Sequence, residues 1–103
     1  MTNLERYLSA SFKSSLSITK EFSTSFSLGI QCLGKDIREP IYSIYGFVRV
    51  ADEIVDTFFD TNQDALLKDF ESSTFSAIKE KFSTNLILHS FQDTVNKYNI
   101  DHH

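Results

Sequence analysis

IYSIYGFVRVADEIVD, residues 41–56, is apolar along most of its length, yet it carries Arg49, Asp52, Glu53 and Asp56. Three acids and an arginine within eight residues are out of place on a helix meant only for burial. Tyr45, Arg49, Asp52 and Asp56 stand at i, i+4, i+7 and i+11. At about 100° per residue they fall within roughly 60° of one another, one narrow polar stripe. Ile44, Phe47, Ala51, Ile54 and Phe58 form an apolar face beside it. Ile41, Val48 and Val55 lie close to the stripe, so the acids are not on a plainly solvated face.

Asp52 and Asp56 are one turn apart, about 6 Å along the axis. Like charges at this spacing cost a helix a few tenths of a kcal/mol, and aspartate is a mediocre helix former. A purely structural helix gains nothing from the pair. A divalent cation changes the balance, because Mg²⁺ takes oxygen ligands, keeps several waters and is typically shared between one or two carboxylates and substrate phosphates. Glu53 lies about 80° off the stripe and is assigned a lesser, outer part. Arg49, one turn before Asp52, is placed to contact a diphosphate or to hold the first aspartate. The competing reading is an exposed face with an Arg49–Asp52 or Arg49–Glu53 ion pair, and spacing alone does not choose between them.

Outward from this stretch the chain reads as helical. Three glycines and one proline are too few for a many-stranded sheet. Asp36 is expected to cap the central helix, with Glu39 three residues on in a capping-box pattern. Pro40 is tolerated in a first turn. That helix is expected over 37–59, with a break at 60–62. Upstream, residues 3–21 carry Leu4, Tyr7, Leu8, Phe12, Leu16 and Ile18 at helical spacing, interrupted by serines. In residues 22–33 Ser23, Ser25 and Ser27 alternate with larger residues, so a short strand competes there, and Gly34 reads as a stop. Downstream, helices are expected over 63–82 and 86–98, separated by a loop at 83–85. The expected class is all-α, with about four helices in a single unit spanning residues 1–103.

The totals narrow the function classes. The chain has 103 residues, enough for one small domain. A net charge of -4 gives no basic surface that argues for nucleic acid. Ten phenylalanines and four tyrosines suggest an aromatic-rich interior or a large apolar pocket. The lone Cys32 excludes an internal disulfide, fits a reducing compartment and reads as a small buried hydrophobe. No window approaches the roughly 20 apolar residues of a membrane span. A cytoplasmic protein is expected, with peripheral contact at a membrane surface left open.

One combination is more specific than its parts. SxSF occurs at residues 23–26, and about twenty residues later a proline-entered helix carries YxxxRxxDxxxD. Together these resemble the opening of the trans-isoprenoid head-to-head synthases, the squalene and phytoene synthase family, and YGFVRVADEIVD resembles its bacterial phytoene-forming members most. The resemblance implies that Asp52 and Asp56 are the first aspartate-rich motif, holding Mg²⁺ (or Mn²⁺) against a prenyl diphosphate. It places Arg49 and Tyr45 near that diphosphate. Ser23, Ser25 and Phe26 match the pocket entrance, and Ile30 falls where the family often has a larger apolar residue. Taken singly, the serines read as turn residues and Phe26 as core.

The family carries a second aspartate-rich motif on a later helix, and no later pair here fits it. Asp60 and Asp64 share the spacing but sit at the expected break, and Asp93 and Asp101 are isolated. The resemblance therefore implies an N-terminal fragment of an isoprenoid synthase domain, inactive alone and prone to self-association. His102 and His103 are read as native residues. The implied reaction is condensation of two geranylgeranyl diphosphates, through a cyclopropyl intermediate, to phytoene. The rivals are the same chemistry on farnesyl diphosphate, giving squalene or dehydrosqualene, and a non-catalytic helical module that binds a prenyl lipid or a protein.

Overall fold

The computed structural model describes residues 2–56 and 62–100. Five α-helices follow in order: α1 Asn3–Phe22, α2 Thr24–Gln31, α3 Lys35–Asp56, α4 Gln63–Glu80 and α5 Leu86–Lys97. Among the described residues there is no strand. The all-α expectation holds, and five helices stand in place of about four. The expected end of the central helix at residues 57–59, with Phe58, lies outside the described residues. So do Asp60 and Thr61 of the expected break, and Asp101, His102 and His103.

Helix starts follow local side-chain chemistry. Thr2 and Glu5 form a reciprocal capping box on α1, with bonds of 3.0 and 3.1 Å. Asn62 caps α4 by accepting from Ala65 N, and Asn85 caps α5 by accepting from Ile87 N and Leu88 N. At α3 the expectation is corrected. The helix begins at Lys35, and Asp36 lies inside its first turn rather than at its cap. The carbonyl of Gly34 opens the helix instead, accepting from Ile37 N at 3.0 Å and Arg38 N at 3.1 Å. Gly34 does not have a positive φ, so it is not a left-handed stop for α2 either. Pro40 sits within α3, beyond its first turn. Its missing N–H frees the carbonyl of Asp36, and the Tyr98 hydroxyl donates to that oxygen at 3.3 Å.

The strand alternative over residues 22–33 is also overturned. α1 and α2 are separated only by Ser23, whose carbonyl accepts from Ser27 N and whose hydroxyl accepts from Phe26 N. The alternation of serines concealed a second pattern, Ser23, Ser27 and Ile30 at i, i+4 and i+7. Ser27 and Ile30 are buried and Ser25 is exposed, as a helix requires. Cys32, expected to be buried, is instead exposed at the C-terminal end of α2.

The core is organised by small residues. α1, α3 and α5 pack against one another, and where they meet the buried side chains are mainly hydroxylic. Ser15 and Ser90 share a 2.8 Å hydrogen bond, Ser43 and Thr94 one of 2.6 Å, and Ser11 donates to the carbonyl of Leu86. A Cβ built on Gly46 would stand 3.1 to 3.3 Å from atoms of Ser15, so α1 and α3 approach closely because position 46 has no side chain. The larger apolar residues expected to seat α1 lie beside this seam. Tyr7, Leu8, Phe12, Leu16 and Ile18 are half-buried and Leu4 is exposed, while Ser11, Ser15 and Thr19 are fully buried. α4 closes the other side through aromatic packing. The Phe47 ring stacks on Phe91 at 3.8 Å and on Phe70 at 5.3 Å between centroids.

Candidate functional site

α3 is continuous from Lys35 to Asp56, so Tyr45, Arg49, Asp52 and Asp56 share one side of one helix. This is the expected stripe. Its neighbours come from the α1–α2 corner. The Phe26 ring lies 5.1 Å from Tyr45, centroid to centroid. The Arg49 guanidinium stands 5.0 Å over the Phe22 ring, a cation–π contact. The Ser23 corner thus turns two phenylalanines, one before it and one after it, onto the polar stripe.

Arg49 also forms a 2.9 Å ion pair with Glu53, one turn further on. Glu53 is therefore an immediate partner of Arg49, lying off the stripe of the two aspartates. The ring below and the carboxylate beside it fix the guanidinium, and its Nε is buried without an acceptor. Asp52 and Asp56 are exposed. The alternative of an Arg49–Glu53 pair is thus real, and its consequence is that Arg49 is not spent on Asp52.

The stripe is bordered by apolar surface. Ile37, Ile44, Val48 and Val55 are 53%, 39%, 47% and 56% exposed. On a helical projection they fall within about 40° of one another and about 90° from the centre of the stripe. Ile44 was grouped with Phe47 and Ile54 on one apolar face; it is exposed on this ridge, while Ile54 is buried. One side of α3 therefore offers carboxylates and an arginine next to a continuous aliphatic strip.

The other expected site residues are placed as follows. Phe26 is exposed beside Tyr45. Ser23 is half-buried, and its hydroxyl caps α2. Ser25 is exposed on α2. Ile30 is 3% exposed and belongs to the core, not to the exposed line. Two neighbours were missed in the sequence. Phe22 lies one turn before Phe26, and that spacing was its signal. Gln63, at the start of α4, donates its amide to the carbonyls of Val55 at 2.7 Å and Ile54 at 3.2 Å. It ties α4 to the last turn of α3, where Asp56 stands. No signal within α3 itself would have found it.

Two carboxylates on one helix face suit a hard divalent cation that keeps several waters and shares a phosphate. Among the described residues no three acids, histidines or cysteines converge to make a fuller cage, so the protein side of such a site here is this pair. No described helix is long and apolar enough to cross a membrane.

The family model described as squalene/phytoene synthase matches residues 19–103, which includes α2, α3 and the whole stripe. No curated protein and no solved structure matches the chain.

Proposed function

The chain belongs to the squalene/phytoene synthase family, and from that premise we propose that the intact enzyme joins two geranylgeranyl diphosphates head to head to give phytoene. The observation that carries this reading is the pairing on α3 of a carboxylate stripe with an exposed aliphatic ridge. A prenyl diphosphate has the same division, a charged head on a long hydrocarbon tail.

In this reading Asp52 and Asp56 would hold the metal ion, Mg²⁺ or Mn²⁺, through their exposed carboxylates. When bound, that ion supplies positive charge next to the departing diphosphate. Arg49 presents a planar fork of donors to the same group. Glu53 and Phe22 keep the guanidinium oriented before substrate arrives, so less order has to be created on binding. The hydroxyl of Tyr45 faces the diphosphate end, and Ser23 and Ser25 line the entrance.

As the allylic carbon–oxygen bond breaks, its electron pair leaves with the diphosphate. The cation left behind must meet the second prenyl double bond before it meets water. Phe26 and Tyr45 form an aromatic wall next to the stripe, and Ile44 and Val48 extend it with aliphatic surface. Such a lining excludes water, and the ring faces attract the cation.

The proposal also holds that these 103 residues contribute only the first-aspartate side, and that further helices bring the opposing ligands and cover the ridge. On that view the chain alone is inactive and self-associates through the ridge. It acts in the cytoplasm, with peripheral membrane contact where its hydrocarbon product is released. The test is product analysis of the intact enzyme, given geranylgeranyl and farnesyl diphosphate separately with Mg²⁺. Phytoene from the first supports the proposal. Squalene or dehydrosqualene from the second, with no turnover of the first, replaces the substrate while keeping the site. Binding of a prenyl diphosphate without turnover selects the non-catalytic reading.

A further inference from the structure

A second site lies away from the aspartates. A groove of about 380 Å³ runs between α1 and the start of α3. Its apolar lining is Phe12, Leu16 and Tyr42, and its cations are Lys13, Lys35 and Arg38. Among the described residues Glu39 is the one acid that lines it. Among the described residues none of the three cations enters an ion pair, and Arg38 Nε is buried with no acceptor. On a chain of net charge -4, acids for pairing are plentiful. Three cations left unpaired around one cavity, one of them with an orphaned donor, repel each other unless an anion joins them.

We propose that this groove binds a phosphate group carried on an apolar or aromatic body. Arg38 offers a guanidinium fork of the kind that matches phosphate oxygens, and Lys13 and Lys35 offer compact charges. The apolar lining takes the carbon side of the ligand, and the volume is within the range of small-molecule sites. Arg38 and Asp52 are fourteen residues apart on one helix, about 21 Å, so one phosphate does not reach both. The proposal therefore stands independently of the reaction assigned to the aspartate face. The phosphate has two possible sources, a free phosphate compound or the headgroup of a membrane phospholipid. Leu33, exposed two residues before Lys35, is available to touch a bilayer in the second case.

The experiment uses the 103-residue chain without divalent metal. One arm titrates inorganic pyrophosphate and follows backbone amide shifts by NMR. The other measures co-sedimentation with phosphatidylcholine vesicles, with and without phosphatidylglycerol. The variants are Lys13→Glu with Lys35→Glu, both at exposed positions, and Arg38→Ala, with circular dichroism to check each fold. If Arg38→Ala does not fold, the lysine pair decides. Saturable pyrophosphate shifts centred on residues 13, 35 and 38, weakened at least tenfold by the substitutions, support a free phosphate ligand. Sedimentation that needs phosphatidylglycerol and falls at least tenfold in the same variants supports the headgroup. Asp52→Ala leaves either result unchanged. Absence of saturable binding in both arms overturns the site, as does binding indifferent to the charge reversals. Binding lost in Asp52→Ala also overturns it, by assigning the phosphate to the aspartate face.

Discussion

The two sides of α3 are built on opposite logics. The inner side uses the smallest residues of the helix. Ser43 and Gly46 let α5 and α1 come close, and the Ser43–Thr94 and Ser15–Ser90 hydroxyl pairs satisfy each other within the contact. The outer side leaves Ile37, Ile44, Val48 and Val55 uncovered and sets two exposed carboxylates beside them. Polar groups are thus buried and apolar groups exposed, the reverse of the usual arrangement. Each inversion has its own cause. A hydroxyl can be buried when its partner is fixed on a neighbouring helix, since a made hydrogen bond offsets the loss of water. An aliphatic ridge stays exposed when its partner is a ligand or another part of the enzyme.

The largest effect expected from this contrast separates chemistry from folding. In the intact enzyme Asp52→Ala removes one of the two carboxylates proposed to hold the metal ion. Turnover is expected to fall at least about 10³-fold, near 4 kcal/mol of barrier. The side chain is exposed, so the melting temperature should stay close to that of the parent. Steady-state kinetics beside a thermal melt makes the comparison. Turnover within tenfold of the parent would remove Asp52 from the metal role.

On the inner side the order of effects reverses. Gly46→Val forces a branched side chain into the space occupied by Ser15, whose Cα lies 3.3 Å from the added Cβ. Backbone cannot yield as a flexible side-chain tip would. A loss of about 1–3 kcal/mol is expected from overpacking, read as a lower denaturation midpoint at unchanged slope. A neutral result would mean that α1 and α3 separate more easily than the Ser15–Ser90 bond suggests.

The ridge gives a smaller and concentration-dependent effect. Exposed aliphatic surface next to Phe26 is expected to bring two copies of the 103-residue chain together, most simply as a symmetric pair. Ile44→Glu with Val48→Glu places charge in that contact and should weaken dimerisation at least tenfold, about 1.4 kcal/mol. Light scattering across the micromolar range measures both chains. A clean monomer for the parent would show that the ridge does not need covering, and would weaken the view of this chain as one side of a larger cavity.

Much of this contrast was legible in residues 41–56, because the i, i+4, i+7, i+11 spacing needs only an unbroken helix to become geometry. Two of the helix starts, at Gln63 and Leu86, were in the right place for similar reasons: Asn62 and Asn85 are cap residues whose neighbours are apolar at helical spacing. The inner seam was not legible. Serine is read as a helix breaker or a turn residue when its partner is unknown, and Ser15 pairs with a residue 75 positions away. The same blindness favoured a strand at residues 22–33. Alternating serines look like one face of a pleat until Ser27 and Ile30 are seen buried together. The i, i+4 spacing of Arg49 and Glu53 allowed their ion pair, but spacing alone did not choose it over a pair with Asp52. Gln63 was invisible for another reason: its partners are backbone carbonyls, which no sequence pattern marks.

The smallest expected effect tests whether the polar-inside logic extends beyond the hydroxyls. His89 is 3% exposed, with its ring 4.7 Å from Tyr7 and 5.1 Å from Phe82. Its Nδ1 accepts from Ser83 N at 3.2 Å, so the neutral ring serves as an acceptor for the α4–α5 connection. Burial pushes its pKa below the ordinary histidine value, against a smaller upward pull from Asp93. In the unfolded chain it titrates near 6.5. The contribution is therefore complete above that value. As pH falls through it, the unfolded state takes up a proton that the folded state resists, and stability declines until the folded pKa is reached. Glu5, whose pKa is lowered by its bonds to Thr2, loses its contribution only around and below pH 4.5, a separate window. Urea melts between pH 5 and 7.5 should show a midpoint that falls on the acid side, and His89→Gln should remove most of that slope. A slope that persists in His89→Gln would assign the acid sensitivity to other groups and confine the buried polar logic to the serine and threonine pairs.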